Sequence, residues 1–215
     1  MRAMKRIVIL ISGRGSNMEA ILRAATEEQW RAQIVAVISN KADAAGLDTA
    51  RAAGVAAHSI DHKAYPDRER FDHALSTLID EFSPDLVVLA GFLRILTPAF
   101  VAHYHGRLLN IHPSLLPSFP GLDTHRRALA AGVKFHGATV HFVTAELDHG
   151  PVIDQAVVPV LDTDTEHTLA ARVLVEEHKM YPRVVKDFIE GRYVLTSDGR
   201  VVRNHAAEHP HGSCE

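Results

Sequence analysis

The stretch Val8–Leu22, VILISGRGSNMEAIL, decides how the rest of the chain is read. It belongs to an almost unbroken aliphatic run from Arg6 to Ser12, which reads as a strand buried on both faces. The run stops at Ser12-Gly13-Arg14-Gly15-Ser16-Asn17. From Asn17 to Thr26 the apolar residues Met18, Ile21 and Leu22 then fall on one helical face. Ser16 or Asn17 is placed to cap the first turn of that helix. Strand, glycine turn and helix in that order form the opening unit of a parallel sheet.

Working outward, Ile34–Ser39 reads as a second strand and NKADAAGLDTARAAG as a helix ending at Gly54. An extended piece follows at Ala57–Ile60, then a helix from about Tyr65 to Phe82 and the strand DLVVLAG at Asp85–Gly91. This alternation predicts an α/β fold, an open and mostly parallel twisted sheet with helices on both faces. The second half changes character. A short strand, Leu108–Ile111, leads into a loop punctuated by Pro113, Pro117 and Pro120. HGATVHFVTAELDHGPVIDQAVVPV alternates as two strands around a loop at Glu146–Gly150, an antiparallel addition to the sheet. Thr165–Ile189 is a long helical pattern that Tyr181-Pro182 is expected to interrupt. YVLTSDGRVV reads as a hairpin turning at Asp198-Gly199, and the residues from Asn204 onward as a disordered tail.

Composition narrows the classes. A chain of 215 residues, 47% hydrophobic and 23% charged, suits one compact domain with a small extension. Its formal net charge of −3 gives no global positive field for nucleic acid or an anionic membrane. The single cysteine, Cys214, allows neither a disulfide framework nor a thiolate metal site within one chain, which fits a reducing cytoplasm. MRAMKRIVILIS superficially resembles a signal peptide, but it runs straight into a glycine turn without a small-residue cleavage site. No apolar stretch approaches the roughly 18 residues of a membrane span.

The glycine loop admits several readings. A loop for a nucleoside triphosphate needs Gly-Lys-Ser/Thr, whereas Ser16-Asn17 follows Gly15, so that reading fails. A dinucleotide fingerprint wants a third glycine where Met18 stands, and an acid where Asn40-Lys41 stands. A simple phosphate held by backbone N–H groups at the helix start, with Ser16 and Asn17 adding donors, needs only what is present. A tight turn with a polar cap satisfies the same residues without any ligand.

The strongest chemical signal is NIHPSLLPSFPG. Asn110 and His112 are two apart at a strand end, so their side chains point the same way. An amide donor and an imidazole together could stabilise the oxyanion of an acyl-transfer intermediate. Asp148, in the loop TAELDHGPVI, could hold such an imidazole in orientation, although a turn residue before Gly150-Pro151 would look the same. No Gly-x-Ser-x-Gly or similar nucleophile motif accompanies them, so direct transfer between two bound substrates fits better than a covalent acyl-enzyme.

In order, VILISGRGSNMEAI, SNKADAAGL, VVLAGFLRILTPAFV, GRLLNIHPSLLPSFPGLDTH, HGATVHFVTAELDHGPVI and EHKMYPRVV closely resemble the phosphoribosylglycinamide formyltransferase family, folate-dependent formyltransferases of purine biosynthesis. The resemblance runs from about Arg6 to Tyr193. It implies a Rossmann-like formyltransferase fold and transfer of a formyl group from 10-formyltetrahydrofolate, as co-substrate, to the amine of glycinamide ribonucleotide. No metal is implied. By motif, Gly15, Ser16 and Asn17 would hold the ribonucleotide phosphate, and Asn110, His112 and Asp148 would form the catalytic group. Pro113, as a cis or rigid neighbour of His112, would present a backbone acceptor near the amine, and Glu177 would contact the ribonucleotide. Arg68, Leu93, Arg94, Ile95 and Leu96, with Asn110 and the loop Thr144, Ala145, Glu146, Leu147 and Asp148, would bind the folate. Residues 1–193 would then be one formyltransferase domain, 1–100 the phosphate-binding half and 101–193 the catalytic and folate-binding half, with 194–215 a hairpin and tail. Two positions depart from the family pattern. Leu174 stands where a polar or basic residue is common near the phosphate, a loss that Arg14 could offset, and Ala145 replaces an acid in the folate loop.

The remaining constellations read more plainly. Among fifteen histidines, His103, His105, His136 and His141 lie in separate segments without zinc-enzyme spacing. His205, His209, His211 and Cys214 read as a solvated tail, His125 as a helix-start residue or a neighbour of the site, and Arg126-Arg127 as a solvated helix face. Related enzymes with a similar His-Pro-Ser-Leu-Leu-Pro segment would add other domains. A tRNA formyltransferase is expected to carry a basic C-terminal domain, and a formyltetrahydrofolate hydrolase an N-terminal regulatory one. A non-catalytic folate- or nucleotide-binding module would not need Asn110, His112 and Asp148 together. The sequence thus predicts a cytoplasmic enzyme of small molecules, monomer or homodimer, without nucleic-acid or membrane partners.

Overall fold

The computed structural model describes residues 4–204, so the histidines and the cysteine of the tail lie outside the described residues. Seven strands form one sheet: β1 (Lys5–Ile11), β2 (Ala32–Ser39), β3 (Ala56–Ser59), β4 (Leu86–Leu89), β5 (Leu108–His112), β6 (Phe135–Phe142) and β7 (Val152–Pro159). Their order is β3-β2-β1-β4-β5-β6-β7. The first five run parallel, and β6 and β7 add antiparallel at one edge, as the alternation predicts.

Among the described residues six α-helices cover the sheet: α1 (Ser16–Glu27), α2 (Gly46–Ala52), α3 (Arg68–Glu81), α4 (Pro98–His103), α5 (Thr124–Ala131) and α6 (Glu166–Ile189). The aliphatic run of β1 is continuous because both faces are covered. Ile7, Ile9 and Ile11 pack with Met18 and Ile21 of α1, Leu47 of α2 and Leu169 and Val173 of α6. Val8 and Leu10 point the other way, onto Phe71, Leu75 and Ile79 of α3 and Phe100 of α4. Strand order reverses between β1 and β4, and the crevice beyond their carboxyl ends is where open α/β sheets receive ligands. Among the described residues no helix is long and apolar enough to cross a membrane.

Several local expectations are corrected. Pro182 does not interrupt α6, which is continuous from Glu166 to Ile189. An interior proline costs about 3 kcal/mol. Leu169, Val173, Met180, Tyr181, Val184 and Val185 are all buried on the same helix, and each contributes about 1.5–3 kcal/mol. Tertiary burial therefore wins. Helix α3 starts at Arg68 rather than Tyr65, because the Asp67 carboxylate accepts the Arg70 N–H and sets the first turn there. The short α4 gave no periodic signal; Thr97 caps it and Pro98 opens it. Neither Ser16 nor Asn17 caps α1. Gly15, at φ 72°, takes the cap position in a left-handed conformation with no side-chain hydrogen bond. The expected hairpin is present, β8 (Tyr193–Leu195) against β9 (Val201–Arg203).

Candidate active site

Asn110 and His112 stand on β5 on the same side as Leu108. The proline-punctuated loop that follows is folded back by Thr139 of β6. Its hydroxyl donates to the Ser114 carbonyl at 2.7 Å and accepts the Leu116 N–H at 3.0 Å. The Ser114 hydroxyl donates to the Ser118 carbonyl at 2.7 Å. This brings the Phe119 carbonyl to 3.0 Å from Nε2 of His112, so that nitrogen carries a proton and donates.

Asp148 arrives from the β6–β7 loop with φ 55°. Its Oδ2 lies 3.5 Å from Nδ1 of His112 and accepts the Gly121 N–H at 2.8 Å. The His112 and Asp148 side chains are only 8% and 7% exposed, so little water screens the pair. Both ring nitrogens of His112 thus face acceptors, the Phe119 carbonyl and the Asp148 carboxylate.

A second polar pair sits where α1 faces α6. Asn17 Nδ2 donates to Glu177 Oε2 at 2.7 Å. Burial pushes the Glu177 carboxyl above the usual range, partly opposed by this hydrogen bond. Asn17 Oδ1 is buried without a partner, an acceptor left open beside the glycine loop. Arg14 is exposed on that loop. The loop is braced from below by Gly46, whose N–H donates to the Gly13 carbonyl at 3.1 Å. A Cβ at Gly46 would fall 2.6 Å from Ile11 Cδ1 and 2.8 Å from the Arg14 carbonyl oxygen.

These groups share one cavity of about 730 Å³. Asn17 and Glu177 line it, and so do Asn110, His112, Pro113 and Asp148. Leu93, Ile95, Leu96, Ala145 and Leu147 complete an apolar wall, Leu93 and Ile95 exposed, into which Arg94 and Thr144 are set. Ser12 ties the two regions together: its hydroxyl donates to Asn40 Oδ1 at 2.6 Å and accepts the Leu93 N–H at 2.7 Å. Asn40 is thereby occupied inside the protein, which disfavours it as a ribose-binding end of β2 in a dinucleotide site.

Gly15, Ser16, Arg68 and Glu146 do not line the cavity; Arg68 is exposed at the start of α3, and Glu146 is exposed with His149 3.7 Å away. Leu174 is also absent from its wall. The cis peptide is Leu116-Pro117, not the bond before Pro113, and the Pro113 carbonyl accepts a hydrogen bond from His136. His125 lines the cavity and its ring meets His136 edge-on at 5.2 Å; the α5 cap is Asp123. Sequence reasoning gave no site role to Gly46 and Ser12, and weighed His141 only as a metal ligand. The period-two spacing of His136, Ala138, Val140 and of the alternate set containing Thr139 and His141 carried a signal for the face of His141, but not for its register against Asn110. Among the described residues no three His, Cys, Asp or Glu side chains gather as a metal-holding group.

Comparison with known proteins gives a consistent result. The sequence model of the formyl transferase family matches residues 5–185. The chain is 56% identical over 186 residues to phosphoribosylglycinamide formyltransferase of Escherichia coli (strain K12), covering 86% of this chain and 88% of that protein. It is 47% identical over 196 residues to the Homo sapiens trifunctional purine biosynthetic protein adenosine-3, covering 91% of this chain but 19% of that longer protein. The crystal structure of glycinamide ribonucleotide transformylase 1 from Symbiobacterium toebii superposes with a TM-score of 0.91 at 48% identity, covering 94% of this chain and 95% of the other.

Proposed function

The chain belongs to the formyl transferase family, and on that premise we propose that it transfers the formyl group of 10-formyltetrahydrofolate to the amine of glycinamide ribonucleotide, giving formylglycinamide ribonucleotide and tetrahydrofolate. The observation that carries this reading is one cavity whose wall joins the Asn17–Glu177 pair, the Asn110–His112–Asp148 group and an apolar lining. A phosphorylated amine and a flat, largely apolar donor call for those three kinds of surface. The glycine loop Gly15-Ser16-Asn17 anchors the phosphate at the start of α1, and Glu177 contacts the ribonucleotide. Leu93 to Leu96 and the loop Thr144 to Asp148 hold the folate, with Arg68 reaching its anionic end from outside the wall.

The chemistry follows from the donors. The neutral amine attacks the formyl carbon, and charge develops on the formyl oxygen. Asn110 Nδ2–H and protonated His112 stabilise that oxyanion, while Asp148 balances the imidazolium. A proton passes from the attacking nitrogen, through His112 or a water held by Asp148, to the departing folate nitrogen as the C–N bond breaks. Holding both substrates in one cavity supplies much of the rate as orientation. The protein acts as a cytoplasmic enzyme, monomer or homodimer, with small molecules rather than nucleic acid or membrane as partners.

The test is a single assay. The protein is given 10-formyltetrahydrofolate with and without glycinamide ribonucleotide, and tetrahydrofolate release is followed. Release that depends on the acceptor is expected. Release without it would make the chain a hydrolase, and no release at all would make it a binding module.

A further inference from the structure

We infer that His141 is a positioning residue that fixes the side-chain amide of Asn110, the residue it faces across the β5–β6 ladder. This rests on the proposed role of Asn110 and adds to it a group that the sequence reading weighed only as a metal ligand.

Three observations converge on His141. It is the direct antiparallel partner of Asn110, so the two side chains stand on the same face of the sheet. The ladder on its other side is irregular at this point, with the β6–β7 register shifting between Val140 and His141. Such bulges re-aim a side chain and recur beside active sites. The ring is also almost fully enclosed, 2% exposed, between Asn110, the Phe142 carbonyl and Asp148.

The hydrogen bonds leave one consistent protonation. Nδ1 lies 2.8 Å from the Phe142 carbonyl oxygen, which can only accept, so Nδ1 carries a proton. Enclosure of the ring away from water opposes a second proton and outweighs the Phe142 carbonyl and Asp148, which favour one; His112 nearby adds a smaller opposition. Nε2 is then a bare acceptor, 3.2 Å from Nδ2 of Asn110. That contact sets which end of the Asn110 amide is which. If the amide were flipped, its oxygen would confront the Nε2 lone pair. One N–H of Asn110 is thus spent on His141, and the other is left for the cavity. The two histidines beside Asp148 have divided roles: His112 has an acid-base part, and His141 stays neutral as a fixed acceptor. The 3.9 Å separation of His141 Nε2 from Asp148 Oδ1 is too long for a hydrogen bond and does not compete.

The test is a double-mutant cycle read in kcat. Asn110→Ala is expected to lower kcat by about 10²–10³-fold, the range for removing one oxyanion donor. His141→Phe is expected to lower kcat by at least about tenfold with KM for glycinamide ribonucleotide unchanged. His141→Gln, which keeps an acceptor, is expected to recover part of that loss. The double variant Asn110→Ala/His141→Phe is expected to be no slower than Asn110→Ala alone, because His141 acts only through Asn110. Multiplying losses would overturn the positioning role while leaving the proposed function intact. Full turnover in Asn110→Ala would overturn the catalytic assignment and the inference with it. Nitrogen-15 NMR of the unmodified protein tests the same point without a substitution: His141 is expected to show protonated Nδ1 and bare Nε2 at neutral pH. A protonated Nε2 would overturn the inference even if every variant failed to fold.

Discussion

Asn17 and Glu177 meet through a 2.7 Å hydrogen bond that joins the first glycine loop to the middle of the last long helix. The bond holds a carboxylate in a place where burial disfavours its charge. A group kept there at a cost to stability is expected to serve the ligand.

Glu177→Gln is therefore expected to bind glycinamide ribonucleotide more weakly and fold more firmly. The Gln oxygen still accepts from Asn17, but the charged acceptor proposed for the substrate is lost. Hydrogen bonds to charged groups are worth about 1.5–3 kcal/mol, which corresponds to roughly a 10–100-fold rise in KM for the ribonucleotide. The stability effect has a defined sign. Because the folded carboxyl is raised above its unfolded value, the folded state binds more protons, and stability falls as pH rises from the unfolded value through the folded one. Gln removes that loss. Urea melts at pH 5 and 8 should show a smaller pH difference in the variant; an unchanged difference would refute the account.

The His112–Asp148 pair leads to a sharper split. Asp148→Asn keeps an acceptor for the Gly121 N–H but removes the charge facing Nδ1 of His112. His112→Ala removes the ring. Each is expected to lower kcat by about 10²–10⁴-fold, in the range of general acid–base catalysis, while leaving ribonucleotide binding within about threefold. Steady-state kinetics with isothermal titration of the ribonucleotide separates the two effects. Near-normal turnover in either variant would contradict the assignment.

What the sequence made legible follows from which forces are local. The β1 run is continuous because Ile7, Ile9 and Ile11 meet one helical layer and Val8 and Leu10 the other, so double-sided burial writes itself directly into composition. Asn110 and His112 stood out because strand periodicity alone puts them on one side. Pro182 misled because a local cost is visible in sequence, whereas the burial of Tyr181 and Val184 that exceeds it depends on the whole sheet. His141 and Gly46 were missed for a related reason. One acts through the β5–β6 register, the other through the approach of two backbones far apart in sequence. Asp148 could be named from its motif, but only the fold of two loops brings it to His112.

Acid is expected to destabilise the protein through its buried histidines. Enclosure drives the His136 pKa down to about 4, and His125 and His141 shift the same way, burial being the first cause in each. A base with a lowered folded value leaves the unfolded state holding more protons, so stability is full above about 6.5 and lost as pH falls from there toward 4. For His136, 1% exposed, the loss reaches at most about 3 kcal/mol. His136→Gln should flatten the melting-temperature profile between pH 7 and 4.5. A parallel profile in the variant would assign the acid sensitivity elsewhere.

Gly46 offers a test of the proposed phosphate loop that touches no ligand-facing side chain. Its N–H holds the Gly13 carbonyl, and a Cβ there would lie 2.6 Å from Ile11 Cδ1 and 2.8 Å from the Arg14 carbonyl oxygen. The Ile11 methyl can swing, but the second contact is backbone and can be relieved only by moving the loop itself. Overpacking of this kind costs about 1–3 kcal/mol. Gly46→Ala is expected to lower the melting temperature and to raise KM for glycinamide ribonucleotide about tenfold or more. The folate side should be spared, because Leu93 is held by Ser12 rather than by Gly13. KM for 10-formyltetrahydrofolate and kcat at saturating ribonucleotide should therefore stay within about twofold. Equal rises in both KM values would mean that the substitution loosens the whole cavity, and that the loop is not a separate anchor for the phosphate.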